Sequence, residues 1–244
     1  MSTTTTIAEL PSFKGQELGT SDWIEVTQER VNLFADATGD HQWIHIDVER
    51  AKAESPFGGP IAHGYLTLSL MVPLVSQTYT ISDAKMGVNY GLNKVRFPAP
   101  VPVGSKVRAR VTLKDVEEVA GGLQNTFADA TGDHQWIHID VERAKAESPF
   151  GGPIAHGYLT LSLIPSLVPQ IIEISGFRMG VNYGTEKVRF PSPVPVGARV
   201  RAGVTMESAT PFNGGIAMNL AVTMEIEGGT KPAMVATVVY RRYL

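Results

Sequence analysis

The chain has 244 residues, 43% of them hydrophobic and 18% charged, which is the make-up of a folded protein and too apolar for a disordered one. Its 21 basic against 24 acidic residues leave a formal charge of −3, which argues against a nucleic-acid binder because phosphate neutralisation needs a basic face. The absence of cysteine excludes a disulfide scaffold, thiol catalysis and thiolate metal sites.

Taken in chain order, Met1–Leu10 carries neither the basic nor the apolar segment of a secretory signal, so a cytoplasmic protein is expected. Asp22–Thr27 alternates as a strand does. Gln28–Thr38 places Val31, Phe34 and Ala35 at i, i+3 and i+4, which predicts a short amphipathic helix stopped by Gly39. Gly58–Pro60 is a turn. From Gly64 to about Thr78 the chain is apolar all round, a buried helix that Pro73 should kink or end. The longest apolar run, about Tyr65–Val75, is too short to span a membrane, so none is expected as a partner. Lys85–Phe97 and Ser105–Val116 read as strands around the proline-rich turn Pro98–Gly104. The later elements repeat these and add Ile216–Glu227 and Ala233–Tyr243, a hairpin about Gly228–Gly229. One buried helix followed by antiparallel strands indicates an α+β fold, with the sheet wrapped on the helix.

The chain is internally duplicated. Phe34–Leu70 recurs residue for residue as Phe127–Leu163, an offset of 93, and MGVNYG, KVRFP and PVPVG recur at the same offset. The copies are incomplete. Gly19–Leu33 has no counterpart before the second copy, and Ala221–Leu244 has none after the first. Removing the 93-residue period from 244 leaves 151 residues, one ordinary small domain. Gly121–Ala128 (GGLQNTFA) aligns with Gly214–Ala221 (GGIAMNLA) and ends in the Phe-Ala that opens the identical tract. Two related sequences joined out of register account for this, with a first repeat at 1–126 and a second at 127–244.

At GDHQWIH, Ala62-His63-Gly64 and KVRFPAPVPVG the sequence resembles the MaoC-like dehydratases, (R)-specific enoyl-CoA hydratases of the hotdog fold, and among them the NodN-like branch that shares TGDHQWIH. The resemblance implies a tandem, double-hotdog-like arrangement, hydration of a trans-2-enoyl thioester, an acyl-CoA substrate, no metal or other cofactor, and homo-oligomers. One departure is the Gln42-Trp43 pair, repeated as Gln135-Trp136, where better-characterised members carry Asn-Pro.

Within this frame Asp40 and His45, and again Asp133 and His138, form a loop pair that can grip one water for general acid–base catalysis. Gly64 and Gly157 open the buried helices and offer their amides to an oxyanion. His63 and His156 are read as structural. Trp43, Phe57 and Tyr65, with Trp136 and Tyr158, are candidate acyl-tunnel residues. Lys94, Arg96, Lys187 and Arg189 are candidates for the coenzyme A phosphates. A hotdog thioesterase and an inactive acyl-CoA-binding or engineered duplication product are the competing readings. Seven strands are expected in place of the ten of a complete pair. They either share one complete hotdog or form two incomplete sheets, the latter favoured because sequence neighbours usually pair. Either way unpaired strand edges invite oligomerisation or strand exchange.

Overall fold

The Thr27 hydroxyl accepts a hydrogen bond from the Arg30 amide and starts helix α1 (Gln28–Thr38), and Gly39, at φ 72°, ends it. Both ends stand where the sequence puts them, because capping is decided locally. The computed structural model describes residues 2–84, 89–116 and 131–244. Two short helices not anticipated from sequence follow, α2 (Trp43–Ile46) and α3 (Val48–Glu54), the latter capped by the Asp47 carboxylate. The expected long helix divides into α4 (Gly64–Ser69) and α5 (Met71–Ser76). Pro73 has no N–H to offer the Ser69 carbonyl and its ring crowds that oxygen, so the break falls one turn ahead of the proline. The second copy repeats this as α6 (Trp136–Ile139), α7 (Val141–Glu147), α8 (Gly157–Ser162) and α9 (Ile164–Leu167), with Pro165 at the second break.

The strands are unequal between the copies. In the second copy β9 (Met179–Arg189), β10 (Val200–Phe212), β11 (Gly215–Ile226) and β12 (Met234–Tyr243) form one antiparallel sheet in the order β10-β11-β12-β9. The first copy has only short ladders. N-terminal β1 (Thr3–Thr5) pairs in parallel with β4 (Tyr79–Ile81), β2 (Glu17–Thr20) pairs with β8 (Arg110–Thr112), and β3 (Ile24–Glu25) pairs with β7 (Lys106–Val107). Twelve strand segments therefore stand among the described residues where seven strands were expected. The first-copy strands are broken into pieces, and β1 and β2 add to them. The strand Asp22–Thr27 stays with its own copy, since β3 meets β7. Residues 85–88 of the expected strand Lys85–Phe97, and the junction at 126/127, lie outside the described residues.

What joins the copies is β5 (Gly91–Leu92) and β6 (Val95–Arg96), both antiparallel to β9. The register is self-complementary under the 93-residue offset. Gly91 faces Arg189, and Arg96 faces Gly184. Arg96 donates to the Thr185 carbonyl at 2.9 Å, and Arg189 donates to the equivalent Leu92 carbonyl at 2.9 Å. Such isologous pairing is how two identical subunits meet across a twofold axis.

The second-copy sheet lays Leu220, Val222, Met224, Met234, Ala236 and Val238 against Leu66, Leu68, Leu161 and Ile164 of the helices, all buried in one core. No helix among the described residues is long and apolar enough to cross a membrane.

Candidate active site

The His45 side chain is 7% exposed and stands on the single turn of α2 rather than on a loop. Its Nδ1 lies 2.7 Å from the Ile61 carbonyl. A carbonyl only accepts, so Nδ1 carries the proton and Nε2 keeps its lone pair. Burial holds the imidazole below its ordinary pKa, partly offset by that hydrogen bond and by Asp40. The Asp40 carboxyl is raised above its ordinary value by burial and drawn back by His45. The pair is therefore neutral imidazole beside a carboxyl that is easier to protonate than usual.

The surroundings hold this pair in place. His63 Nε2 donates to the Asp40 backbone carbonyl at 3.0 Å, and its ring stacks on His45 with centroids 3.8 Å apart. Burial, aided by His45, lowers the His63 pKa to about 3. Gln28, in the first turn of α1, donates to the His45 carbonyl at 2.8 Å. The Ala62 amide donates to Val101 and the Val103 amide to Pro60, so the PVPVG turn clamps the segment that leads into α4. The same clamp recurs in the second copy between Ala155 and Val194.

A cavity of about 670 Å³ opens on Asp40 and His45. Gly64, read from sequence as an oxyanion donor, and Phe57, Tyr65 and Arg96, read as substrate contacts, all line it. Much of the remaining wall comes from the second copy, including Asn182, Leu220, Tyr240 and Arg242. The buried Tyr65 hydroxyl interacts with Asn182, and Tyr158 interacts reciprocally with Asn89 of the first copy. A Cβ at Gly64 would come within 2.8 Å of the Phe97 ring, and one at Gly157 within 2.9 Å of Phe190. Glycine is needed at both helix starts for that ring packing, and the amide is left as the group Gly64 can offer a ligand.

Other candidates have partners of their own. Trp43 lies beneath the Arg50 guanidinium at 4.5 Å and Trp136 beneath Arg143 at 4.4 Å. Neither tryptophan lines the cavity at Asp40. Arg96 and Arg189 are engaged by carbonyls across the intercopy strands, Arg96 also by Glu186 and Arg189 by Asn93. Lys94 and Lys187 are exposed. Further along, Arg199 and Arg201 pair with Glu227 and Glu225, which makes that strand face a surface ladder of opposite charges.

The second-copy cluster differs. His156 Nε2 lies 3.3 Å from an Asp133 carboxylate oxygen, so this carboxylate turns to the helix-start histidine. The His138 and His156 rings are tilted by 34° at 4.1 Å, and burial with His156 nearby lowers the His138 pKa to about 2. Each cluster also brings one atom from an aspartate and two histidines within 4.8 Å of one another.

Gln28, Tyr240, Asn182 and Arg242 were not anticipated as site residues. Gln28 looks like an ordinary first-turn residue, and the other three reach the cavity only through the packing of one copy on the other.

Two incomplete α+β copies, paired through their strands over a shared helical core, define a double hotdog. The comparisons agree with this. The MaoC like domain matches residues 10–126 and again 123–225, and the chain belongs to that family. It is 58% identical to 3-hydroxyacyl-thioester dehydratase Z of Mycobacterium tuberculosis over 131 residues, 54% of this chain and 86% of that protein. It is 54% identical to nodulation protein N of Rhizobium leguminosarum over 126 residues, 51% of this chain and 78% of that protein. Among solved structures, a MaoC domain protein from Chloroflexus aurantiacus superposes with a TM-score of 0.66 at 11% identity, covering 95% of this chain and 96% of that one. A conserved protein of Mycobacterium tuberculosis with a double hotdog fold superposes at 0.53 and 11% identity, covering 94% and 95%.

Proposed function

We propose that the chain is a hydro-lyase that adds water to trans-2-enoyl-CoA to give the (R)-3-hydroxyacyl thioester, and runs the reverse dehydration, at Asp40 and His45. The observation that carries this reading is the His45 side chain: an imidazole held by the Ile61 carbonyl through Nδ1 faces a cavity beside a carboxyl group. Family membership and the dehydratase relative support the reaction class.

In this mechanism Asp40 orients a water and His45 Nε2 takes its proton as the oxygen bonds to C3. The C2=C3 electron pair moves towards the thioester carbonyl, whose developing charge meets the Gly64 amide. The imidazolium, steadied by Asp40, returns the proton to C2 from the same face. Atoms and charge balance without a further cofactor. The acyl chain runs past Phe57 and Tyr65. An acyl-CoA substrate goes with a cytoplasmic setting, and assembly into homo-oligomers goes with the edge of β10, which has no strand partner beyond β11 among the described residues.

The test is the loss of conjugated-enoyl absorbance from a short trans-2-enoyl-CoA, with free thiol titrated in parallel. Hydration without thiol release supports the reading. Thiol release without hydration points to the thioesterase, and binding without either to an acyl-CoA binder.

A further inference from the structure

On β12 the even-numbered side chains Met234, Ala236 and Val238 are buried in the core. Tyr240 and then Arg242 continue the same row, because strand side chains alternate in direction. Arg242 is thus a charged residue on a core-facing row, at the point where the row leaves the core and becomes the wall of the Asp40 cavity. Such a position carries a cost unless the charge is paired. No carboxylate pairs with Arg242 among the described residues, and its Nε is buried without a hydrogen-bond partner.

The fold makes room for this group. Gly180 of β9 is the strand partner of Arg242, and a Cβ at Gly180 would collide with the guanidinium. The other arginines on the cavity wall are engaged: Arg96 by carbonyls and Glu186, and Arg241 by the Tyr183 ring at 3.6 Å. The Arg241 guanidinium also has no hydrogen-bond acceptor among the described residues but is covered by that ring, so Arg242 is the cavity cation with neither an acceptor nor an aromatic face against it among the described residues.

We propose that Arg242 recognises an oxyanion of the substrate. That group is either a phosphate of the thiol carrier or a carboxylate on the acyl chain, both of which match the planar guanidinium fork. The first copy ends before the corresponding strand, so the clamp belongs to the Asp40 site alone. The inference rests on the acyl-thioester reading above, and its test does not depend on turnover.

Binding to the full chain is measured calorimetrically with three unreactive probes. Coenzyme A carries phosphates, the glutaryl thioester of N-acetylcysteamine carries a carboxylate, and the butyryl thioester of N-acetylcysteamine carries neither. Arg242→Gln is expected to weaken one anionic probe about tenfold or more beyond its effect on the neutral one, since a charged hydrogen bond contributes on the order of 1.5–3 kcal/mol. A selective loss on coenzyme A identifies the phosphate, and a selective loss on the glutaryl thioester identifies the carboxylate. Equal weakening of all three probes, no weakening of either anionic probe, or a wild-type chain that binds neither anionic probe overturns the proposal. Arg242→Lys keeps the charge without the fork and should bind with intermediate affinity, which gives a second readout if the Gln variant folds poorly. Because none of the probes can be hydrated, a failed hydration assay would count against the function above and leave this result readable.

Discussion

At the residue scale, the two Asp-His motifs are identical in sequence and unequal in setting. Asp40 and His45 share a cavity wall, whereas Asp133 turns its carboxylate to His156. His45→Ala should therefore lower the hydration kcat by about 10²-fold or more, the range of a lost general base. His138→Ala should change it by less than about threefold. Equal losses in steady-state assays of the two variants would show that both sites turn over. The pH dependence follows from the pKa directions. His45 acts as a base only when neutral, and burial lowers its pKa, so the acid limb of kcat/KM should fall below pH 6.5. Stability has the same sign. His63 binds its proton at about 3 in the folded chain and near 6.5 in the unfolded one. Its contribution is complete above pH 6.5 and is lost as pH falls towards 3, at up to about 1.4 kcal/mol per pH unit. Urea titrations at stepped pH read this slope. Asp40, raised in the folded state, opposes it in the lower part of that window.

At the element scale, helix starts and strand partners position the site. The Gly64 α-carbon lies against Phe97, so Gly64→Ala forces the ring to move and should cost about 1–3 kcal/mol of stability, as overpacking does. Thermal melts of the variant check this, and an unchanged melting point would mean the ring yields freely. Gln28 ties α1 to the His45 carbonyl, and its place in the second copy is taken by Gly121, which has no side chain to do so. Gln28→Ala should accordingly lower kcat with little change in KM, since it loosens the base and leaves the cavity wall intact. Sequence reasoning found α1 and both its ends because capping and periodicity are local. It missed α2 and α3 because four and seven residues are too few for a helical period to show.

At the scale of the whole molecule, the intercopy strands reproduce within one chain the contact of a symmetric dimer. The first copy nevertheless lacks the strand that β12 supplies to the second, and its ladders are two to four residues long where those of the second copy run to ten or more. At the other end of the main sheet, β10 is, among the described residues, an edge thirteen residues long with Met206 exposed. Such an edge is a template for another chain. Sedimentation should give a mass above the 26.3 kDa of one chain, and Met206→Lys on that edge should shift it towards the monomer. A wild-type chain that sediments as a monomer at micromolar concentration would show that the edge is protected in solution.

The sequence by itself determined the family, the duplication, the α+β class, the final hairpin and the identity of the Asp-His pairs. Each of these is written in local order: a 93-residue period, residue spacing within a turn, or alternation along a strand. Only the tertiary structure decided that the two pairs are not equivalent, that Arg96 and Arg189 join the copies, and that Tyr240 and Arg242 help to wall the first-copy cavity. The physical reason is one of distance along the chain. Asp40 and Arg242 are some two hundred residues apart, and no spacing or periodicity relates them. They share one cavity because the apolar faces of two unlike half-domains are buried against each other.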